Sequence, residues 1–255
     1  MFLFNTPYEK FKMKIQKLII YTFFLLSVSL FSQKKISSGE INYEITMEVD
    51  ENKLRKVSKK LKGSDYAKES AISILKNQGK TNFKLLFNTN ESVFKEDESL
   101  KINDKKINLV KILIGKGLFY TKKSSKKIIN KEESFGEVFL IEVPYLKWVL
   151  TQESKKIGKY LCYKATTEKE GENKKGKFVN KITAWYTSEL PVNFAPKDYF
   201  GLPGLILELK EGNLLFKVSK IKLNLKEKIV LKEPVKGKKV TLEEYNKIVK
   251  EIVTR

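Results

Sequence analysis

The sequence predicts a mainly β protein whose strands form one antiparallel sheet domain. Apolar and polar residues alternate with a period of two along most of the chain, the pattern of half-buried strands. The alternating runs follow one another through short connections rich in turn formers, which favours antiparallel neighbours over crossover helices. Apolar residues fall at helical spacing in two segments, near 64–78 and at the C-terminus.

The N-terminus reads as an address rather than as part of that sheet. Lys10, Lys12, Lys14 and Lys17 precede a 14-residue apolar run from Leu18 to Phe31, and polarity returns at Ser32-Gln33-Lys34-Lys35. A basic start, a short apolar centre and a small residue at the exit make residues 1–32 a signal peptide, with cleavage placed after Ser32. Met13 stands where such a segment ordinarily begins, so it is an alternative start. The run is short of the roughly 20 apolar residues a permanent membrane anchor needs. Residues 33–255 are then the mature chain, one domain, exported to the periplasm or the outer membrane.

Along the mature chain the first strand is Ile41, Tyr43, Ile45, Met47 and Val49, each between polar neighbours. Phe83, Leu85 and Phe87 repeat the pattern, and Val93-Phe94 follow after a polar break. Further strands are expected at 117–122, 135–143, 147–154, 158–167, 179–187, 204–210 and 214–225. Turns are expected at Asn103-Asp104, at Lys131-Glu132-Glu133-Ser134, in the Gly171-to-Gly176 stretch and at Glu211-Gly212-Asn213, the last closing a hairpin over 204–225. A helix over 64–78 starts at Ser64-Asp65 and ends near Gly79. The C-terminal helix opens with Thr241 and Glu244, a capping box in which each residue's side chain satisfies the other's backbone N–H. Its stripe of Leu242, Tyr245, Ile248, Val249, Ile252 and Val253 is expected to dock on the protein's own sheet.

Composition narrows the chemistry. The 255 residues include no His and one Cys, which removes Ser-His and Cys-His catalysis, His-ligated metals, an internal disulfide and multi-cysteine zinc sites. No cofactor or metal is implied. Cys162, in Tyr160-Leu161-Cys162-Tyr163, has no base beside it and reads as a buried structural thiol. Carboxylates are the remaining acids and bases, and Glu132-Glu133, Glu168 with Glu170 and Glu243-Glu244 sit where solvated charge is the default. The net charge is +21, falling to +18 once residues 1–32 are removed. Of the 51 basic residues only Arg55 and Arg255 are Arg. Nucleic-acid readers favour Arg's planar fork, and the lysines are dispersed, so nucleic-acid binding is not expected. Weak electrostatic association with anionic lipid or polysaccharide is.

One stretch is irregular. Ala184-Trp185-Tyr186-Thr187 runs into Pro191, Pro196, Tyr199 and then Gly201-Leu202-Pro203-Gly204-Leu205-Ile206. Pro203 fixes φ between two glycines, so at least one glycine should take a positive φ or permit close backbone approach. Trp185, Tyr186, Pro191, Pro196 and residues 201–206 are therefore the candidate site, either a rigid corner packed beneath the two aromatics or a binding rim. No catalytic residue is nominated.

The hexapeptide at 201–206 resembles the signature of the GLPGLI family, exported proteins of Gram-negative bacteria with mostly unknown function. Trp148-Val149-Leu150-Thr151, Ile157 through Ala165, Ala184 through Pro191, and Pro234, Gly237 and the Thr241–Glu244 helix start are similar to the flanking parts of that family. The resemblance covers about residues 38 to 250. Ala195-Pro196 departs from it, standing where the family usually has Gly-Pro. The resemblance implies a cell-envelope protein and a strongly curved, bowl-like or half-barrel sheet, similar in form to periplasmic lipoprotein carriers. It implies no agreed catalytic site.

These observations favour a non-enzymatic envelope module whose concave sheet face binds an apolar ligand or a protein partner. The alternative is a carboxylate-dependent hydrolase acting on glycan or cell-wall material, which needs two acids in one pocket and at least one raised pKa.

Overall fold

The computed structural model describes residues 35–50, 63–76, 80–98, 108–115, 117–173 and 176–253, with single positions at 8, 11, 14, 16, 17, 52 and 54. Met1–Lys35 and Ile36–Arg255 are separate units. In the first, the described positions 8, 11, 14, 16 and 17 are helical, and the apolar run Leu18–Phe31 on which the expectation of a signal peptide rests lies outside the described residues. No described helix is long and apolar enough to cross a membrane.

The described residues of the second unit form helices and one open sheet of twelve strands. In chain order they are β1 (Gly39–Met47), β2 (Thr81–Phe87), β3 (Glu91–Glu96), β4 (Leu118–Lys122), β5 (Lys127–Ser134), β6 (Glu137–Glu142), β7 (Val149–Ile157), β8 (Tyr160–Asn173), β9 (Gly176–Thr187), β10 (Leu205–Glu211), β11 (Leu214–Leu223) and β12 (Lys238–Thr241). Among the described residues three helices have full ranges: α1 (Asp65–Lys76), α2 (Leu109–Ile114) and α3 (Leu242–Val253). The spatial order β12-β6-β5-β4-β3-β2-β1-β11-β10-β9-β8-β7 is two meanders, β1–β6 and β7–β11, joined where β1 pairs with β11. Every pair is antiparallel except β12 with β6.

Connectivity requires the sheet to curl. β6 and β7 stand ten strands apart in that order. In a flat sheet, ten spacings of about 4.8 Å would separate them by about 48 Å. The chain passes from Glu142 to Val149 in seven residue steps, which reach about 25 Å when fully extended. The two ends of the sheet must therefore bend toward each other, giving the strong curvature that the family resemblance implies.

The elements follow from the sequence with several corrections. The turn expected at Lys131–Ser134 is the end of β5, where Glu132 pairs with Phe139 and Ser134 with Glu137. The hairpin instead turns at Phe135 and Gly136, whose φ of 55° and 78° match the two positive-φ positions of a tight hairpin turn. Phe-Gly lacks the Asn-Gly or Asp-Gly signature of such turns, so polarity pointed to the wrong residues. In the Gly171-to-Gly176 stretch, pairing continues to Asn173↔Gly176 and leaves 174–175 between the strands. The Phe178 ring covers Gly171 so closely that an added Cβ would lie 2.5 Å from it. The strand expected at 147–154 begins later, at Val149, because Lys147 and Trp148 belong to the preceding connection. There the Thr167 hydroxyl donates to the Lys147 carbonyl and the Trp148 indole N–H to the Phe200 carbonyl. α2 and β12, each six residues or fewer, were not anticipated. The turn expected at Asn103-Asp104 lies outside the described residues.

Two layers cover the sheet. One face of β1, β2 and β8–β11 carries the main core, including Ile41, Tyr43, Leu85, Ala165, Ile182, Ala184 and Leu209, all fully buried. In β3–β6 both faces are covered. Ile128, Phe139 and Ile141 pack toward Tyr245 and Ile248 of α3, while Val93, Tyr120, Ile129 and Leu140 pack with Leu231 of the chain after β11.

The capping box forms as expected, with the Thr241 N–H donating to Glu244 Oε2 at 2.7 Å and the Glu244 N–H to Thr241 Oγ1 at 3.2 Å. The stripe behind it docks only in part: the Tyr245 ring meets Phe139 at 5.2 Å, while Leu242 and Ile252 stay 36% and 44% exposed.

Candidate functional site

The concave face of β8–β10 is lined by small side chains. Ala165 and Ala184 pair directly across β8 and β9, with Thr167 and Ile182 in the next row. Such a face leaves room for a second layer, and the chain itself supplies one. Between β9 and β10, residues 188–204 form a strap that closes on itself at its neck. The Leu205 N–H donates to the Leu190 carbonyl at 2.8 Å, the Gly201 N–H to the Asn193 carbonyl at 3.1 Å, and the Asn193 side-chain amide to the Leu202 carbonyl at 2.9 Å.

The body of the strap is aromatic and buried. Phe194 packs with Phe87 of β2 at 5.9 Å and with Phe200 at 5.6 Å, and Phe200 meets Tyr145 at 5.2 Å. Tyr199 lies 6.2 Å from Trp148 and is fully buried. The strap thus reaches β2, the strand-free link between β6 and β7, and the face of β8–β10.

The two glycines of the hexapeptide have different duties. Gly201 has φ 111° with nothing near its absent Cβ, so conformation alone calls for glycine. A Cβ on Gly204 would lie 2.0 Å from the Thr187 carbonyl oxygen, so there it is close approach that calls for glycine. Leu202, Leu205 and Ile206 are buried, whereas Pro191, Gly201 and Pro203 face solvent and Pro196 is buried. Ile206 pairs with Tyr186, and a bulge then sets Glu208 opposite Trp185. The Ile206 carbonyl accepts a 2.7 Å hydrogen bond from the Tyr43 hydroxyl of β1. Trp185 and Tyr186 do not sit together over the corner, because successive strand residues point to opposite faces. Tyr186 packs beside Tyr163 at 6.4 Å, while Trp185 lies under the Lys155 ammonium at 4.3 Å.

Four charged side chains hold the strap to the sheet. Lys169 Nζ of β8 lies 2.7 Å from Asp198 of the strap and 3.9 Å from Glu211, the last residue of β10. Lys197 of the strap, at φ 52°, meets the same Glu211 at 2.6 Å. The Lys169 ammonium also sits 4.0 Å from the centre of the Tyr199 ring. Burial raises the Glu211 carboxyl, but Lys197 and Lys169 outweigh it and hold the group below its ordinary pKa. Burial pulls Lys169 down, with Asp198 opposing only in part. Burial and the nearby Glu211 and Asp198 push the Tyr199 phenol well up, and among the described residues its hydroxyl has no hydrogen-bond partner of normal geometry. Two cations and two carboxylates balance, so the cluster is a buried ionic clasp.

Sequence reading missed this clasp, although its signal was present. Lys169 continues the inward register of Ala165 and Thr167, and Glu211 that of Leu209. A charge at a position where alternation demands an apolar residue is the mark of a buried partner.

Other chemistry is sparse. Cys162 is fully buried, and burial pushes its thiol up to about 11. A groove of about 240 Å³ opens between β5, β6, β12 and residues 233–235, floored by Ile129, Leu140 and Val240. Its carboxylates include Glu233, which Lys127 holds at 2.7 Å, and Glu244, which serves the helix cap. The Thr241 N–H and hydroxyl keep the Glu244 carboxyl below its ordinary range. The carboxylates that shift, Glu211 and Glu244, both move down, opposite to what a general acid needs. Among the described residues no group of three His, Cys, Asp or Glu side chains could hold a metal ion.

A family model described as a protein of unknown function (Porph_ging) matches residues 148–208, from Trp148 through β7, β8, β9 and the strap into β10. No curated protein matches the chain. Two solved structures of PNGF-II, in C2 and P21 space groups, are similar at 14% and 15% identity, each with a TM-score of 0.47. The similarity covers 84% of this chain and 33% of each of those, so the chain spans about a third of their length.

Proposed function

We propose that this protein is a non-catalytic binding module of the bacterial cell envelope that contacts a protein partner through its outward surfaces. The observation that carries this reading is the strap: the concave face that an apolar ligand would occupy is filled by Phe194, Tyr199, Phe200 and Leu202 of the chain itself. An apolar carrier needs a hollow of several hundred Å³ lined by apolar side chains. Export rests on the N-terminal pattern of Lys10–Lys17 and the apolar run after it. A carboxylate-dependent hydrolase is the weaker reading, because the buried carboxylate Glu211 is neutralised by two lysines rather than poised to give a proton.

Native mass spectrometry decides between carriage and partner binding. The full chain is expressed in a Gram-negative host and the protein is recovered gently from the envelope fraction. The expected result is the bare protein mass, or a complex with a stoichiometric protein. A small apolar adduct released by denaturation would overturn the proposal and restore the carrier reading.

A further inference from the structure

Some of the sheet's lysines are neutralised where they stand, while others, among them Lys156, Lys177 and Lys181, take part in no ion pair among the described residues. Lys84 pairs with Asp97, Lys155 with Glu208, Lys164 with Glu153 and Lys222 with Glu40, at 2.7–2.9 Å. The chain between β11 and β12 gathers unpaired lysines into one short run. Residues 226–239 hold six lysines and two glutamates, and one of those glutamates, Glu233, is already held by Lys127. Among the described residues, none of Lys226, Lys228, Lys232 and Lys236 takes part in an ion pair, and all four are exposed.

The segment also has two sides. It lies along the outer face of β3–β6, with Leu231 packed on that face and the Ile229 carbonyl accepting from the Asn88 amide. An extended chain alternates, so Lys228, Val230 and Lys232 point away from the sheet while Ile229, Leu231 and Glu233 point toward it. Val230 and Val235 are 70% and 72% exposed, standing among the free lysines. Solvent-facing apolar side chains interleaved with unpaired cations match a surface that is anionic at its headgroups and apolar just beneath.

We propose that residues 226–236 form a membrane-surface contact, in which Lys226, Lys228, Lys232 and Lys236 meet the phosphates of anionic phospholipid and Val230 and Val235 enter the headgroup layer. This goes beyond the partner-binding proposal and does not depend on it. Burying Leu231 against the sheet fixes the strip on the protein, so the contact needs no rearrangement of the fold.

The test is sedimentation with vesicles of 70% phosphatidylcholine and 30% phosphatidylglycerol, using the protein recovered from the envelope as above. Binding is expected at low salt and should fade as salt rises toward and beyond physiological strength. Each lysine at such a surface contributes about fivefold, so K228Q/K232Q/K236Q should bind about a hundredfold more weakly. K156Q/K177Q/K181Q removes the same charge from exposed positions on β7 and β9 and should stay within about threefold of wild type. V230S/V235S should lose vesicle binding several-fold yet elute from a heparin column as wild type does. No vesicle binding at low salt, or equal losses in the two lysine triplets, would overturn the proposal. So would wild-type vesicle binding by V230S/V235S, which would mark the strip as a site for a soluble polyanion. All substituted side chains are solvent-facing, and unchanged melting temperatures would confirm that the fold is intact.

Discussion

Replacing Gly204 by Ala separates the strap's two kinds of glycine. The new Cβ would start 2.0 Å from the Thr187 carbonyl oxygen and 2.6 Å from its carbonyl carbon. Carbon–oxygen contacts close at about 3.3 Å, so the backbones must part by more than about 1 Å. Neither can move freely. Thr187 is fully buried and pairs with Leu205, whose N–H also binds the Leu190 carbonyl at the strap's neck. Overpacking costs about 1–3 kcal/mol, and one or two strained hydrogen bonds add about 1 kcal/mol each. G204A should therefore lose about 3 kcal/mol, or about 6–12 °C of melting temperature for a domain of this size. G201A meets open space and should lose only the strain of a positive φ, about 1–2 kcal/mol. Urea unfolding followed by tryptophan fluorescence measures both. A G204A protein with the wild-type midpoint, or G201A as the costlier change, would refute the assignment of close approach to Gly204.

Further outcomes follow from the clasp and the thiol. E211Q leaves Lys197, whose side chain is 12% exposed, without its 2.6 Å partner, and should cost about 3–5 kcal/mol in urea unfolding. The double change K197M/E211M should cost much less than the sum of the single changes, and additivity would count against a coupled pair. The clasp also predicts a pH dependence. Glu211 is held below its unfolded pKa, so its stabilisation is complete above about pH 4.3 and fades as pH falls through the lower folded value. The gap in urea midpoint between wild type and E211Q should thus narrow below about pH 4, and a constant gap from pH 7 to 3 would contradict it. Cys162, buried with a thiol pushed up to about 11, should react with maleimide at pH 7.5 only on unfolding, and rapid labelling of native protein would sink the structural reading.

Much of the sheet was legible because strands with one buried face leave a period-two record, as in Ile41-Tyr43-Ile45 and Phe83-Leu85-Phe87. The capping box was legible because it depends on residues three apart. What escaped was settled by distant contacts. β5 was read as a turn because Lys131, Glu132 and Glu133 are polar, yet backbone pairing with β6 is indifferent to their charge. β12 is four residues long and exists because β6 offers it an edge. The hexapeptide announced an irregular corner, and its glycines proved unlike each other only when Thr187 stood beside one of them. The clasp joins residues 169, 197, 198 and 211, and nothing local to any of them names the others. The C-terminal stripe docks on the sheet as its periodicity led one to expect, through Tyr245 and Ile248, while Leu242 and Ile252 stay partly exposed.

Hydrogen exchange of the strap amides is the most direct measurement on the central claim that residues 188–204 fill the concave face. The N–H groups of Val192, Gly201 and Leu205 are hydrogen-bonded at the strap's neck, and that of Tyr199 within its buried body. Exchange by these amides as slow as that of the β9 and β10 strands is the expected result. Exchange within seconds, while the strands stay protected, would mean that the strap stands off the sheet and that the concave face is open to a ligand.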